Sequence, residues 1–238
     1  MRAVTRIIAG AAGGTPLTAV PGSLTRPTTD RVKEALFSRL DAFDVIAGSR
    51  VLDLYAGSGA LGVESGSRGA QAVDLVESDA KASGVCQRNA DLINGVLGRK
   101  AVTVHRSRVE PFLDRAGEAA AWDLVFLDPP YPLEEAGLSA VLGKLAEHLA
   151  PGAVVVVERS SRSPEPGWPD GLTRFAEKKY GETRLWFAEP FVPDAITPDD
   201  LADAAAVDAE ESGAQGFSPR RGPGPLPPGR VQGGDRGQ

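Results

Sequence analysis

Short runs of apolar residues, each stopped by a polar or turn residue, recur through the middle of this chain. They are Arg50-Val-Leu-Asp-Leu-Tyr55, Ala72 to Val76, Ala101 to His105, Trp122 to Leu127 and Ala153 to Val157. Near-continuous runs of this length, rich in Val and Leu, read as strands buried on both faces. Between them the apolar positions return at helical spacing. This predicts a helix opening at the glycine turn Gly57–Gly62 and ending near Arg68-Gly69, a helix from Ala80 to Leu92, and a short one from Pro111 to Ala120. A further helix is predicted from Glu134 to Leu149, with Leu138, Val141, Leu142 and Leu145 inward. Gly66 costs the first of these about 1 kcal/mol relative to Ala, which keeps it short. Upstream, residues 4–9 read as a strand and Gly10 to Pro27 as a loop. Thr28 or Thr29 reads as the N-cap of a helix with Val32, Ala35, Leu36 and Leu40 on its apolar stripe. Downstream, Leu172 to Lys179 and Thr183 to Ala188 flank Gly181 as an antiparallel hairpin closing one edge. Strands alternating with helices predict an α/β fold, a parallel sheet covered on both faces. No internal repeat is visible.

Composition adds limits to this picture. Apolar residues make up 42% of 238, enough for a substantial core. No run approaches the roughly 18 apolar residues of a membrane span. Arg2 and Arg6 lie near Ile7-Ile8-Ala9, but no sustained apolar stretch follows, so no signal peptide is expected. The single Cys86 permits no internal disulfide and reads as a small core residue. With only His105 and His148 beside it, no metal site is expected, and both features suit the cytoplasm. The net charge of −6 is unevenly spread. Residues 194–211 hold seven acids and no base, whereas residues 1–40 hold six bases and two acids. The acidity is largely a property of the tail, and the N-terminal region stays suited to a polyanion. Arg26, Arg31, Lys33 and Arg39 lie in or beside the first helix, where a solvated charged face is the competing reading. Residues 213–238 carry eight Gly and five Pro and read as a disordered tail. The expected organisation is an N-terminal extension over 1–45, a catalytic domain over 46–190 and a tail over 191–238.

Two motifs carry the chemistry. The strand from Trp122 runs into Asp128-Pro129-Pro130-Tyr131, and two prolines end it, because neither can donate a ladder hydrogen bond. A carboxylate, a backbone carbonyl at Pro129 and an aromatic face at Tyr131 therefore gather at the carboxyl end of a buried strand. Ligands bind at that edge in open α/β sheets. The set suits a planar ring bearing an amino group. The bland alternative is a strand terminator with a turn-capping Asp. The second motif, Gly57-Ser58-Gly59-Ala60-Leu61-Gly62, matches G-x-G-x-x-G between strand and helix, and Glu77 follows 20 residues after Gly57 at the next strand's end. That spacing fits a nucleoside cofactor with Glu77 on its ribose. NAD(P) and S-adenosylmethionine both fit. Asp53, just before the turn, favours the second, because a carboxylate there repels a pyrophosphate and attracts a methionyl amino group.

Asp53-Leu-Tyr-Ala-Gly-Ser-Gly-Ala-Leu-Gly with Asp128-Pro-Pro-Tyr resembles the amino-methyltransferases of exocyclic base nitrogens. Arg6-Ile-Ile-Ala-Gly, Arg26-Pro-Thr-Thr-Asp-Arg, Glu34-Ala-Leu-Phe and Ser67-Arg-Gly-Ala narrow the resemblance to the RsmD family, guanine-N2 methyltransferases of 16S ribosomal RNA. The resemblance covers roughly residues 4–188. It implies a Rossmann-like class I fold of seven strands with the last inserted antiparallel. It implies S-adenosylmethionine as cofactor, held by Asp53, Tyr55, Ala56, Gly57, Ser58, Gly59, Glu77 and Ser107. It further implies catalysis by Asp128, Pro129, Pro130 and Tyr131, and RNA contacts by Arg26, Thr28 and Arg31. The implied target is guanine 966 in the family's RNA numbering, on naked RNA or the small ribosomal subunit, by a monomer without metal or membrane. Tyr55 stands where the family has Phe, and Gly66 interrupts a helix the family keeps continuous. His105-Arg-Ser-Arg-Val lacks the acid that many methyltransferases aim at the adenine amino group, a place left to Ser107 or a backbone amide. The tail after Pro190 has no counterpart. An adenine-N6 nucleic-acid methyltransferase shares both motifs, and an NAD-dependent oxidoreductase is the alternative from another class.

Overall fold

In the computed structural model, residues 5–21, 30–117, 121–130 and 133–191 are described. The chain divides into two units, residues 1–191 and 192–238, and the second lies outside the described residues with the expected tail. Thr28 and Thr29, expected to cap the first helix, also lie outside them.

The first unit is built on a seven-stranded sheet in the order β3-β2-β1-β4-β5-β7-β6. The strands are β1 (Arg50–Leu54), β2 (Ala72–Glu77), β3 (Val102–Arg106), β4 (Trp122–Leu127), β5 (Leu149–Ser160), β6 (Leu172–Tyr180) and β7 (Thr183–Pro190). The first five run parallel, and β7 slots antiparallel between β5 and β6. The helices are α1 (Asp30–Ala42), α2 (Ala60–Ser67), α3 (Ala80–Leu97), α4 (Val109–Leu113) and α5 (Glu135–Ala146). Alternating strand residues feed two separate cores. Val51, Phe126, Val156 and Leu185 join α1, α2 and α3 on one face. Leu52, Leu127, Val157 and Trp186 join α4 and α5 on the other. Both faces are covered, as the unbroken apolar runs require.

Several boundaries differ from the sequence reading. Of the strand expected over 4–9, residue 4 lies outside the described residues and 5–9 form no strand: Arg6 makes a single antiparallel bridge to Pro16. Their partner is the glycine-rich turn itself, with Ile7 N–H on the Thr15 carbonyl at 2.9 Å and Leu17 N–H on that of Thr5 at 2.8 Å. α3 runs on to Leu97 because Ile93 keeps its stripe in the core, and Gly98 ends it in the left-handed conformation at φ 63°. α4 starts earlier and is shorter, since Pro111 sits in its first turn, where no N–H is needed. α5 ends at Ala146, and Leu149 opens β5, which absorbs Pro151-Gly152 in a register shift against β4.

The N-terminal segment is fastened to α2 by buried polar contacts. Glu64, with 0% exposure, accepts from Ile8 N–H at 2.6 Å and Ala9 N–H at 3.0 Å. It pairs with Arg68 at 2.8 Å and faces Lys33 at 3.8 Å. Ser67 accepts from Ala12 N–H and donates to the Ala9 carbonyl. A Cβ on Gly10 would lie 2.0 Å from the Ser67 carbonyl oxygen, so only glycine permits this approach. Lys33 belongs to this junction and not to a solvated face: it is 1% exposed and donates to the Arg6 carbonyl at 2.5 Å. Burial lowers its pKa, and Glu64 partly restores it.

Candidate active site

The strand order reverses between β1 and β4, and the residues singled out in the sequence emerge around that point. Asp53 lies on β1 opposite Phe126 and Leu75, so its side chain points to the face carrying α1 to α3. It is 2% exposed and accepts from Gly62 N–H at 3.0 Å, which fastens the first turn of α2. Burial pushes its pKa up to about 7, against the Gly62 hydrogen bond, with a smaller upward push from Glu77.

The glycine turn is pressed hard into the sheet. Gly57 and Gly59 have φ of 57° and 76°. A Cβ on Gly59 would meet Cys86 Sγ and Leu75 Cδ1 at 2.9 Å, and one on Gly62 would lie 2.2 Å from Leu75 Cδ2. Tyr55 also has positive φ, 62°, a costly conformation for a residue with a side chain. Burial, followed by Glu110, pushes its phenol up to about 12. Ala56 N–H reaches the Val76 carbonyl at 3.0 Å, joining the turn to β2. Glu77 at the end of β2 accepts from Gly57 N–H at 2.8 Å and Asp79 N–H at 2.7 Å. A carboxylate has about four acceptor positions, so both oxygens retain capacity for hydroxyl donors.

Ser107 lies at the end of β3, its N–H on the Glu77 carbonyl at 3.2 Å. Its hydroxyl donates to the Arg108 carbonyl and accepts from Arg115. Beside it opens a cleft of about 330 Å³ lined by His105, Arg106, Ser107, Phe112, Arg115 and Ala116. Asp74 receives His105 at 2.8 Å and Trp122 at 3.1 Å under this edge, and these bonds, against burial, hold its carboxyl below the usual range.

Asp128 follows Leu127 directly and is exposed as a residue, while protein atoms crowd around its carboxyl. That crowding raises its pKa well above the usual carboxylate value, and Glu158 and then Asp53 raise it further. Pro129 is buried, and the Pro130 carbonyl accepts from Leu133 N–H at 2.9 Å. Arg159 pairs with Glu135 and approaches the Leu133 carbonyl at 3.4 Å, fastening the segment after the turn to β5. Tyr131, Arg26 and Thr28 lie outside the described residues. Arg31 is exposed on the first turn of α1, while Arg39 stacks over Phe43 and Phe187 near the other end.

Two residues around this edge escaped the sequence reading. Asn89, buried on α3, accepts from Thr18 N–H at 2.9 Å and donates to the carbonyls of Thr18 at 3.0 Å and Ser58 at 2.8 Å. It ties the N-terminal segment to the glycine turn. An Asn on the apolar stripe of a helix was the available signal. Glu158 was missed because the fifth strand was expected to stop one residue short of it.

The turn fits a cationic, hydroxyl-rich nucleoside and not a pyrophosphate, because the carboxylates of Asp53 and Glu77 flank it. Among the described residues no group of His, Cys, Asp and Glu is arranged to hold a metal ion, and no helix is long and apolar enough to cross a membrane.

A doubly covered sheet with an antiparallel β7, a glycine turn after β1 and an Asp-Pro-Pro at the switch point define a Rossmann-like methyltransferase architecture. The solved structure of the Escherichia coli protein yhhF superposes with a TM-score of 0.67 at 31% identity, covering 80% of this chain and 100% of that one. The chain belongs to the RsmD family: the family model described as conserved hypothetical protein 95 matches residues 5–189. The Bacillus subtilis protein YlbH is 35% identical over 181 residues, 75% of this chain and 95% of that one. "Ribosomal RNA small subunit methyltransferase D" of Haemophilus influenzae is 34% identical over 176 residues, 74% of this chain and 89% of that one.

Proposed function

We propose that this protein methylates the exocyclic N2 of a guanine in small-subunit ribosomal RNA, guanine 966 in the family's numbering, using S-adenosylmethionine. The observation that carries the reading is Asp128 at the strand switch point, on the sheet face of Asp53 and next to the glycine turn. The names of relatives support the RNA substrate. Asp53, Tyr55 to Gly59 and Glu77 hold the cofactor, with Glu77 on its ribose and Ser107 near its adenine. S-adenosylmethionine, bound there, supplies an electrophilic methyl on a positively charged sulfur.

The chain's own residues prepare the nucleophile. A guanine amino group is a poor one, because its lone pair is delocalised into the ring. Ionised Asp128 and the Pro129 carbonyl accept its two N–H bonds and draw the nitrogen toward tetrahedral geometry. Asp128 is also placed to take the proton that the nitrogen loses. Tyr131 stacks on the base, which must leave its helix or come from a loop to enter. Positioning and fixed acceptors provide most of the rate. Arg26, Thr28 and Arg31 contact the RNA backbone. Mass mapping of small-subunit RNA from cells with and without the gene tests the reading: loss of one N2-methylguanine supports it, and an unchanged map counts against it.

Glu77→Ala is expected to weaken S-adenosylmethionine binding by roughly 10- to 150-fold, the loss of 1.5–3 kcal/mol of hydrogen bonding to a charged group. Calorimetry checks this, and unchanged affinity removes Glu77 from the site. Binding is also expected to release protons. Asp53 sits at about 7, and an ammonium above it favours its ionised form. At pH 6 the release approaches about one proton, and it fades above pH 8. Calorimetry in two buffers of different ionisation enthalpy reads it. Buffer-independent heats contradict a cation near Asp53.

A further inference from the structure

Asp128 is not the only carboxylate beside the incoming amino group. Val157 is paired with Leu127, so the next residues, Glu158 and Asp128, emerge side by side from neighbouring parallel strands. Such strands lie about 4.8 Å apart. Side-chain direction follows from the register. Glu158 is opposite Leu185 on β7, and directly opposed residues share a face. Leu185 belongs to the core beneath α1 to α3, as do Val156 and Phe126, two residues before Glu158 and Asp128 respectively. Glu158 and Asp128 therefore rise on the same face of the sheet, with Asp53 on that face of β1 two residues further back, level with Phe126. The upward push of Glu158 on the Asp128 pKa agrees with this proximity.

The bases differ in what lies beside their amino groups. In guanine the ring position next to the N2 amine on the Watson–Crick edge is N1–H, a donor. In adenine the position next to the N6 amine is N1, and in cytosine next to the N4 amine it is N3; both are bare acceptors. A carboxylate alongside Asp128 accepts from the first and repels the other two.

We infer that Glu158 is a specificity-determining residue that accepts from N1–H of the target guanine while Asp128 holds its amino group. The inference rests on the proposed N2-guanine reading and adds the reason for choosing guanine. Methyl transfer itself stays with Asp128, and Glu158 sets which base presents its amine there.

The test uses small subunits reconstituted with RNA carrying guanosine, 2-aminopurine riboside or adenosine at the target. The 2-aminopurine base keeps the amine at C2 but has a bare N1. Wild-type enzyme is expected to favour guanine over 2-aminopurine by about 100-fold or more in kcat/KM, since a site built around a donor rejects an analogue lacking it. Glu158→Gln, whose amide can donate to a bare N1, is expected to lose roughly 10- to 100-fold on guanine and to narrow the ratio below about 10. Its cofactor affinity and melting temperature are expected to stay near the parent's. An unchanged ratio in Glu158→Gln overturns the inference, and so does wild-type enzyme that uses both bases equally, a result independent of how the variant folds. Wild-type product other than N2-methylguanine removes the underlying reading as well. N2-methylguanine formed with a ratio that Glu158→Gln does not move removes the inference alone.

Discussion

Asp128→Ala is expected to lower turnover by roughly 100- to 10,000-fold, the range for a positioned acid–base group, while S-adenosylmethionine affinity changes little. The acceptor it removes strengthens only as the amino nitrogen changes geometry, so the loss falls on kcat and not on cofactor binding. The pH profile carries the same information. The Asp128 pKa is raised by the protein crowded about its carboxyl, by Glu158 and by Asp53. The ionised form is the stronger acceptor and the one able to take the departing proton, so kcat/KM rises with pH as Asp128 loses its proton. Stability runs the other way. A carboxyl with a raised folded-state pKa favours the fold while protonated, and that advantage fades as pH climbs from the ordinary carboxylate value through the raised one. Above it, Asp128→Ala is expected to melt at or above the parent's temperature. Had Asp128 only ended the strand, activity and stability would fall together. Single-turnover rates beside melting curves separate the two, and a folded Asp128→Ala protein with near-normal rate removes the mechanism.

Glu64→Ala is expected to cost roughly 3–5 kcal/mol, the usual penalty for breaking a buried ion pair from one side. For a domain of this size that lowers the melting temperature by about 6 to 20 °C. The substitution leaves Lys33 inside with its opposing charge gone and leaves Ile8 and Ala9 N–H without their acceptor. Arg68 keeps Asp41 at 2.6 Å, so its guanidinium is not stranded. Lys33→Met combined with Glu64→Leu is expected to recover the part due to the stranded charge, because an apolar pair of similar volume avoids the desolvation of both charges, while Ile8 and Ala9 N–H stay without their acceptor. Thermal melts of the three proteins check this, and a single variant within about 1 °C of the parent contradicts the anchoring role.

These two residues mark what could and could not be read from sequence. Asp128 was legible because its neighbours announce it: a buried apolar run stopped by Pro129-Pro130 places a carboxylate at a strand's carboxyl end, whatever else the chain does. The Gly57 turn was legible for the same reason, as was the β6–β7 hairpin around Gly181. Local chemistry fixes those features. Glu64 and Lys33 were not legible, since their partnership spans α1, α2 and a segment that crosses both. On a linear chain Lys33 is one base among several on a helix. Glu158 was hidden by a different cause. Its place depends on β5 lying next to β4 in one register, which periodicity cannot supply, and on a strand end that the apolar run understates by a few residues. Asn89 shows the general case: a side chain whose bonds go to Thr18 and Ser58 can be located only after three distant segments have met.

The central claim is N2 methylation at the Asp128 site, and nucleoside analysis after reaction with labelled cofactor tests it most directly. Purified protein, small subunits lacking the modification and S-adenosylmethionine labelled in its methyl are incubated, and the RNA is digested and resolved by mass spectrometry. The account predicts label in N2-methylguanosine with the parent and almost none with Asp128→Ala. Label in N6-methyladenosine, or equal labelling by parent and variant, contradicts it.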